Sequence, residues 1–476
     1  MASIAFDAIS SNQRVPGSQV EISNVRARQG LPPAQQKILL IGQCIGAASA
    51  SAPVRMTHPE HGATLAGRGS ILAAMVAAAL AASTQVELWA MPIADNAAGV
   101  AATGTITLTG PSTSAGTLAL MIAGVRIPVG VASGASATTI ATAIAAAVNA
   151  LPDLPVTASA AAAVVTLTCR HKGTAGNDID VRTNYFDGES LPAGIGVTIV
   201  GLSGGATNPD LTSLLASLGD AWYQTIVVGM NDAANMSVVD TDLEDRWGPV
   251  RQIEGRAYFG MSGSFSTLST FGATRNGKHA TIIGGYRIPS PPWAVAAAFA
   301  AIAAYQLQID PARPLTALTV PGIRAPRPEH RFIRSERELL LKDGISTFSV
   351  NADGNVTIER LISCYQLSSA GFDDDSYLDV QTTATLGYYR YSYRDRMAAK
   401  FPRAKLTEET IASVQAETIA LAREWEEAGL MEDVDSFIAN LVIERDATNR
   451  RQLNTLMTPD TVNGLLQLAT RIEFIL

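Results

Sequence analysis

Residues able to do chemistry are sparse in this chain. His58-Pro59-Glu60-His61 is the spacing nearest to a metal site. Pro59 keeps its two imidazoles from sharing a helix face and no third ligand follows nearby, so the segment reads as a surface turn. His171, His279 and His330 each stand among loop-like residues and read as solvated imidazoles. A Walker A loop and a Rossmann glycine pattern after a strand are both missing. Gly67 to Ser70 (GRGS) opens a helix and offers only a weak anion signal. Asp373-Asp374-Asp375 lacks the spaced ligands and bidentate glutamate of a calcium loop, and reads as a solvated turn. Tyr388, Tyr389, Tyr391 and Tyr393 with Arg390, Arg394 and Arg396 have the ingredients of a nucleic-acid stacking platform. At helical spacing half of that stripe must face a core, and a net charge of -8 opposes polyanions, so packing and interface use is expected. Cys44, Cys169 and Cys364 are far apart and odd in number, which predicts buried reduced thiols. An α/β enzyme built on Cys44 or His279 has no recognisable nucleophile, base and orienting acid. No catalytic residue, cofactor or metal is assigned.

The chemistry that remains is that of the backbone hydrogen bond. Val15 to Val25 (VPGSQVEISNV) and Thr470 to Leu476 (TRIEFIL) read as short strands outside any compact domain. In the first, Val20 and Ile22 point one way while Glu21 and Ser23 point the other, after Pro16-Gly17 has excluded a helix. In the second, Ile472, Phe474 and Leu476 alternate with Arg471, Glu473 and Ile475. A strand whose N–H and C=O groups stay open is unstable alone and must pair at home or with another copy. Two such ends predict a subunit that links to its neighbours by lending strands.

The elements between the ends predict three domains. Lys37 to Gln43 (KILLIGQ) has the continuous apolar run of a strand buried on both faces; a small-residue helix over Gly69 to Ala82 and a strand over Gln85 to Met91 follow. The pattern resumes with a helix at Leu211 to Leu218 and strands at Gln224 to Gly229, Arg256 to Gly260 and Ala280 to Gly284. Residues 37–97 with 208–323 are therefore assigned to an α/β core. Residues 98–207 are rich in Gly, Ala, Thr and Ser, carry alternating strands such as Gly104 to Gly110 and a helix behind Ser136, and form an inserted β-rich (α+β) domain. Residues 324–469 are assigned to an α+β C-terminal domain. In it Phe437 to Glu444 reads as one strand, and Thr458-Pro459-Asp460 reads as the cap of a last helix. Residues 1–36 and 470–476 are the arms.

Composition narrows the class further. Forty-seven per cent apolar and 16% charged residues describe a mildly acidic globular protein in a reducing compartment, with no general affinity for nucleic acid or anionic lipid. The N-terminal residues MASIAFDAISSNQRVPG lack a basic region before an apolar one, so no secretory leader is expected. Trp293 to Ile309 is apolar but short, alanine-rich and bracketed by prolines, which predicts a buried core helix rather than a membrane span.

The opening VPGSQVEIS followed by QKILLIGQ, the stretch DPARPLTALTVPGI, the block FIRSERELLLKDGISTFSV with TIERLIS, and the tail MTPDTVNGLLQLATRIEFIL resemble contractile-tail sheath proteins of Mu-like bacteriophages. The resemblance covers Met1 to about Met91 and Leu211 to Leu476, and the inserted segment looks like the accessory domain such proteins carry. It implies a non-enzymatic subunit that stacks as hexameric rings in a helical array around a tail tube, within a virion assembled in the host cytoplasm. It also implies arms that pair with the C-terminal domains of adjoining subunits, with tube, baseplate and tail terminator proteins as partners. The acidic helix Glu408 to Glu427 is a candidate tube contact. Another tail or baseplate assembly protein is the alternative, although tube proteins are generally shorter and built around one β-barrel.

Overall fold

The computed structural model describes residues 31–46 and 52–475. The Val15 to Val25 strand, with Val20, Glu21, Ile22 and Ser23, lies outside the described residues. Contacts divide the chain into two compact units, one of residues 34–388 with 463–476 and one that includes residues 389–462.

The larger unit is organised by an eight-stranded sheet. It begins with β1 (Lys37–Cys44), β2 (Val54–Met56), helices α1 (Pro59–Ala66) and α2 (Ile71–Ala82), and β3 (Glu87–Ala94). The alternation in β1 serves two cores: Ile38 and Leu40 face one and Leu39 and Ile41 the other, all fully buried. Such a run carries no polar side, as a strand covered on both faces requires. Ser70 starts α2 by accepting from the Ala73 N–H at 3.1 Å.

An insertion then interrupts the sheet with β4 (Ala101–Thr109), β5 (Gly116–Ile122), β6 (Val125–Val131), α3 (Ala137–Asn149), β7 (Val156–Ala161), β8 (Val164–Lys172), β9 (Val181–Thr183) and β10 (Gly196–Ser203). It holds a four-stranded sheet ordered β10-β4-β8-β7 and a three-stranded one ordered β6-β5-β9. The expected cap of α3 is present, with Ser136 accepting from the Thr139 N–H.

The main sheet resumes with α4 (Thr212–Ser217), β11 (Thr225–Val228), α5 (Ala233–Trp247), β12 (Arg256–Ser262), α6 (Phe265–Gly272), β13 (Ala280–Gly285), α7 (Pro292–Ile309), α8 (Arg334–Lys342), β14 (Ile345–Val350) and β15 (Val356–Arg360). Its order is β15-β14-β13-β12-β11-β1-β3-β2, parallel from β14 to β3, with an antiparallel strand at each edge. Helix α7 is the one described helix long and apolar enough to cross a membrane, and 78% of its apolar window is buried within the protein. The β14–β15 hairpin lies in this sheet, so the stretch expected to open the C-terminal domain at residue 324 completes the core instead. Ile345, Val356 and Ile358 are almost wholly buried there, and that burial decides their placement.

The smaller unit holds most of α9 (Val380–Lys400), then α10 (Glu408–Glu427), β16 (Met431–Glu432), α11 (Val434–Asn440), β17 (Val442–Arg445), β18 (Leu453–Leu456) and β19 (Asp460–Thr461). Its core is aromatic: Tyr389 lies 4.6 Å from Trp425 between ring centroids, and the Trp425 indole donates to Ser392 Oγ at 3.0 Å. Of the tyrosine and arginine stripe, Tyr389 is buried in this packing. Two expectations fail here. Phe437 to Glu444 is not one strand, because Asp433 accepts from the Ser436 N–H and caps a helix that buries Phe437. The expected last helix is also missing: Asp460 and Thr461 pair with Glu432 and Met431, and residues 463–475 form neither helix nor strand. Leu465 and Leu468 are about four-fifths exposed, so no packed face stabilises a helical turn there.

Candidate assembly interface

The titratable groups nearest to an active-site arrangement are tied into the fold. Contrary to expectation, His171 and His279 are buried. His171 accepts the Ile71 N–H at Nε2 (3.2 Å), which leaves the proton on Nδ1 to be donated to Asp95 Oδ1 at 2.9 Å. Burial pushes the Asp95 carboxyl up, but the hydrogen bonds from His171, the Lys172 N–H and Gln43 outweigh it and hold Asp95 below its ordinary value. The N-terminus of α2 is thus filled from within, and Arg68 of the GRGS segment is paired with Asp153 and Glu60. His279 meets Glu244 at 3.0 Å and is pushed down to about 4 by burial. Burial also raises the thiols of Cys44, Cys169 and Cys364, the opposite of what a nucleophile needs. Among the described residues no group of three or more His, Cys, Asp or Glu is set to hold a metal ion.

Open polar and apolar groups occur instead along the C-terminal segment. Ile472, Phe474 and Ile475 are 85%, 80% and 99% exposed, and Arg471 and Glu473 pair with each other across the intervening isoleucine. No described strand pairs with residues 471–475. Large apolar side chains left this bare in an alternating segment need a surface to cover them.

The smaller unit contains the complementary feature. Strands β17 and β18 form a two-stranded ladder, pairing Val442 with Leu456 and Arg445 with Leu453, with no third strand among the described residues. Val442 and Leu456 face each other at 45% and 59% exposure. A lone two-stranded ladder is marginal in water and is strengthened by a further strand. Sequence reasoning missed β18. The signal for it is Asp446, whose carboxylate accepts from the Thr448 and Asn449 N–H groups and from Asn454, closing the turn between the strands. Those bonds hold its carboxyl far below the usual range. On α10, Glu417 and Glu424 bind Arg396 and Glu408 binds Arg445, so these acids of the candidate tube contact are engaged within the unit.

Residues 204–364 match the phage tail sheath protein central domain, residues 373–475 the phage tail sheath C-terminal domain, and residues 97–196 the phage tail sheath β-sandwich domain. The chain is 38% identical over 487 aligned positions to the Mu-like prophage FluMu tail sheath protein of Haemophilus influenzae, covering all of both chains. The chain belongs to the phage tail sheath family.

That family is structural rather than enzymatic, and the chain is a structural subunit of a contractile tail sheath, a component of the virion tail. Its fold resembles a sheath tail protein from Listeria innocua, with a TM-score of 0.52 at 13% identity over 92% of this chain and 94% of that one. A weaker likeness, TM-score 0.48 at 9% identity over 98% and 99% of the two chains, is to the helical sheath of the anti-feeding prophage in its contracted state.

Proposed function

We propose that this sheath subunit polymerises by lending its terminal strands, as hexameric rings stacked helically around a tail tube, and that contraction of the array drives the tube through the host envelope. The observation that carries the reading is the pairing of opposites: an alternating segment, Arg471 to Ile475, with its apolar residues bare, and a two-stranded ladder, β17–β18, with its edges open. In the proposed array Arg471, Ile472, Glu473, Phe474 and Ile475 extend the ladder of one neighbour, and Val20, Glu21, Ile22 and Ser23 extend that of another. Each new backbone hydrogen bond contributes roughly 0.5–1.5 kcal/mol, and burial of Ile472 and Phe474 about 1.5–3 kcal/mol each. Contacts of that strength survive a rearrangement of the rigid bodies, while the Gln29 to Gln36 connector bends.

In this reading the chain catalyses nothing, assembles in the host cytoplasm, and meets tube, baseplate and terminator proteins without nucleic acid or membrane insertion. The arms are residues 1–36 and 470–476, and the insertion, 98–207, lies on the outer surface. The test is removal of residues 470–476 from the full chain. The variant is expected to be folded and monomeric, and tubes of normal length in negative-stain micrographs would refute the reading. Deleting residues 1–24 has the same expected outcome for the other arm.

A further inference from the structure

The hairpin after the main sheet carries an exposed aromatic tip. Phe372 is 74% exposed between Gly371 and Asp373-Asp374-Asp375. The tip is held stiffly. Ser368 N–H donates to the Phe372 carbonyl at 2.8 Å, Gly371 takes φ 80° to close the turn, and Asp374 N–H donates to the Gln366 carbonyl at 2.9 Å. Its base is fastened by Asn276, which donates to the Leu367 carbonyl and accepts from the Gln366 and Leu367 N–H groups, all within 2.8 Å. A large ring held rigidly in water at a loop tip loses little conformational entropy on docking.

At the other end of the same strands lies a recess that fits it. Tyr286, Pro326, Phe332, Phe348 and Val350, with His330, line a hollow of about 160 Å³. A cavity of ~150 Å³ takes one benzene ring, and Arg331, Arg337, Thr347 and Ser349 add polar groups to the wall of this one. Tyr286 and His330 already meet edge to face at 5.6 Å, the arrangement an entering ring would extend. The rim is basic where the tip is acidic: Arg331 and Arg337 line the recess, and Arg337 is already paired with Glu359.

The two features sit at opposite ends of β13. Asn276 precedes its first residue, Ala280, whereas Gly284 and Tyr286 at its far end line the recess. Six residues of strand separate them by roughly 20 Å, so one copy does not fill its own recess. We propose that the Phe372 tip of one copy seats in the Tyr286–Phe348 recess of the next, a head-to-tail contact between α/β bodies distinct from strand lending. Heterologous contacts of this kind build open arrays. The contact rests on the reading of the chain as a polymerising subunit.

The test uses the full chain and sedimentation across a concentration series. Phe372→Ala and Asp373→Arg are each expected to raise the concentration for half-maximal assembly about tenfold or more. Both sites are exposed, so thermal unfolding of the unassembled chain should not move. Arg331→Asp should weaken assembly similarly, and Asp373→Arg combined with Arg331→Asp should recover most of the loss. Unchanged assembly of Phe372→Ala, or no recovery in the charge exchange, overturns this contact while leaving strand lending intact. A wild-type chain that never assembles overturns both.

Discussion

The main sheet and the C-terminal segment solve the same problem in opposite ways. The sheet closes its edges at home: beyond β15, the Ala317 N–H donates to the Ile358 carbonyl and the Val320 N–H to the Val356 carbonyl. Its other edge is β2, only three residues long. Leu39, Leu40 and Ile41 are wholly buried inside. Residues 471–475 have similar apolar content and none of that cover. In the proposed reading the body folds alone and the arm folds on another copy. Stability and assembly should therefore respond to different substitutions.

The largest separation is expected from a paired change in the arm. Ile472→Asp with Phe474→Asp should abolish tube formation in micrographs, since both anchors are lost and charges must be buried, while the unfolding midpoint of the unassembled chain stays within error of wild type. A large drop in that midpoint would mean the arm packs on its own body. The converse change is Leu40→Ala in β1, which should lower stability by about 2–5 kcal/mol in denaturant unfolding and make assembly defective only by depleting folded chain.

A smaller effect sharpens the contrast through pH. Asp178 is pushed up to about 6 by burial, against the hydrogen bond it accepts from Asn231. A carboxyl whose folded value lies above its unfolded one stabilises fully below the unfolded value and loses that contribution as pH rises through the folded one. Asp178→Asn removes the ionisation. Its melting temperature relative to wild type should therefore climb between about pH 4 and pH 7, by the equivalent of up to about 3 kcal/mol. A flat difference would break the account of that buried acid. The smallest effect is Ser70→Ala, which removes the α2 cap and should cost about 1 kcal/mol without touching assembly.

The sequence made the apolar periodicity legible and the helix starts only in part. KILLIGQ, the alternating strands of the insertion and the Ser136 cap are where their patterns put them, because burial and capping are local signals. The β14–β15 hairpin was harder to place, since its membership of the main sheet depends on the parallel pairing of Ile345 with Ile282, a contact between residues far apart in the chain. His171 and His279 looked solvated because flanking loop-like residues say nothing about Asp95 or Glu244 reaching them from elsewhere. In the candidate interface, the exposed alternation of Arg471 to Ile475 was readable directly. The ladder proposed to receive it was half hidden: Asp433 turned the first part of the expected strand into a helix, and β18 lay behind a turn organised by one aspartate.

In the proposed array, residues 471–475 gain their backbone partners from another copy. Amide hydrogen exchange of that segment, measured in assembled tubes and in the unassembled chain, tests it most directly. Slow exchange in tubes with fast exchange in the unassembled chain is the expected result. Equal rates in the two forms, whether both fast or both slow, would contradict it.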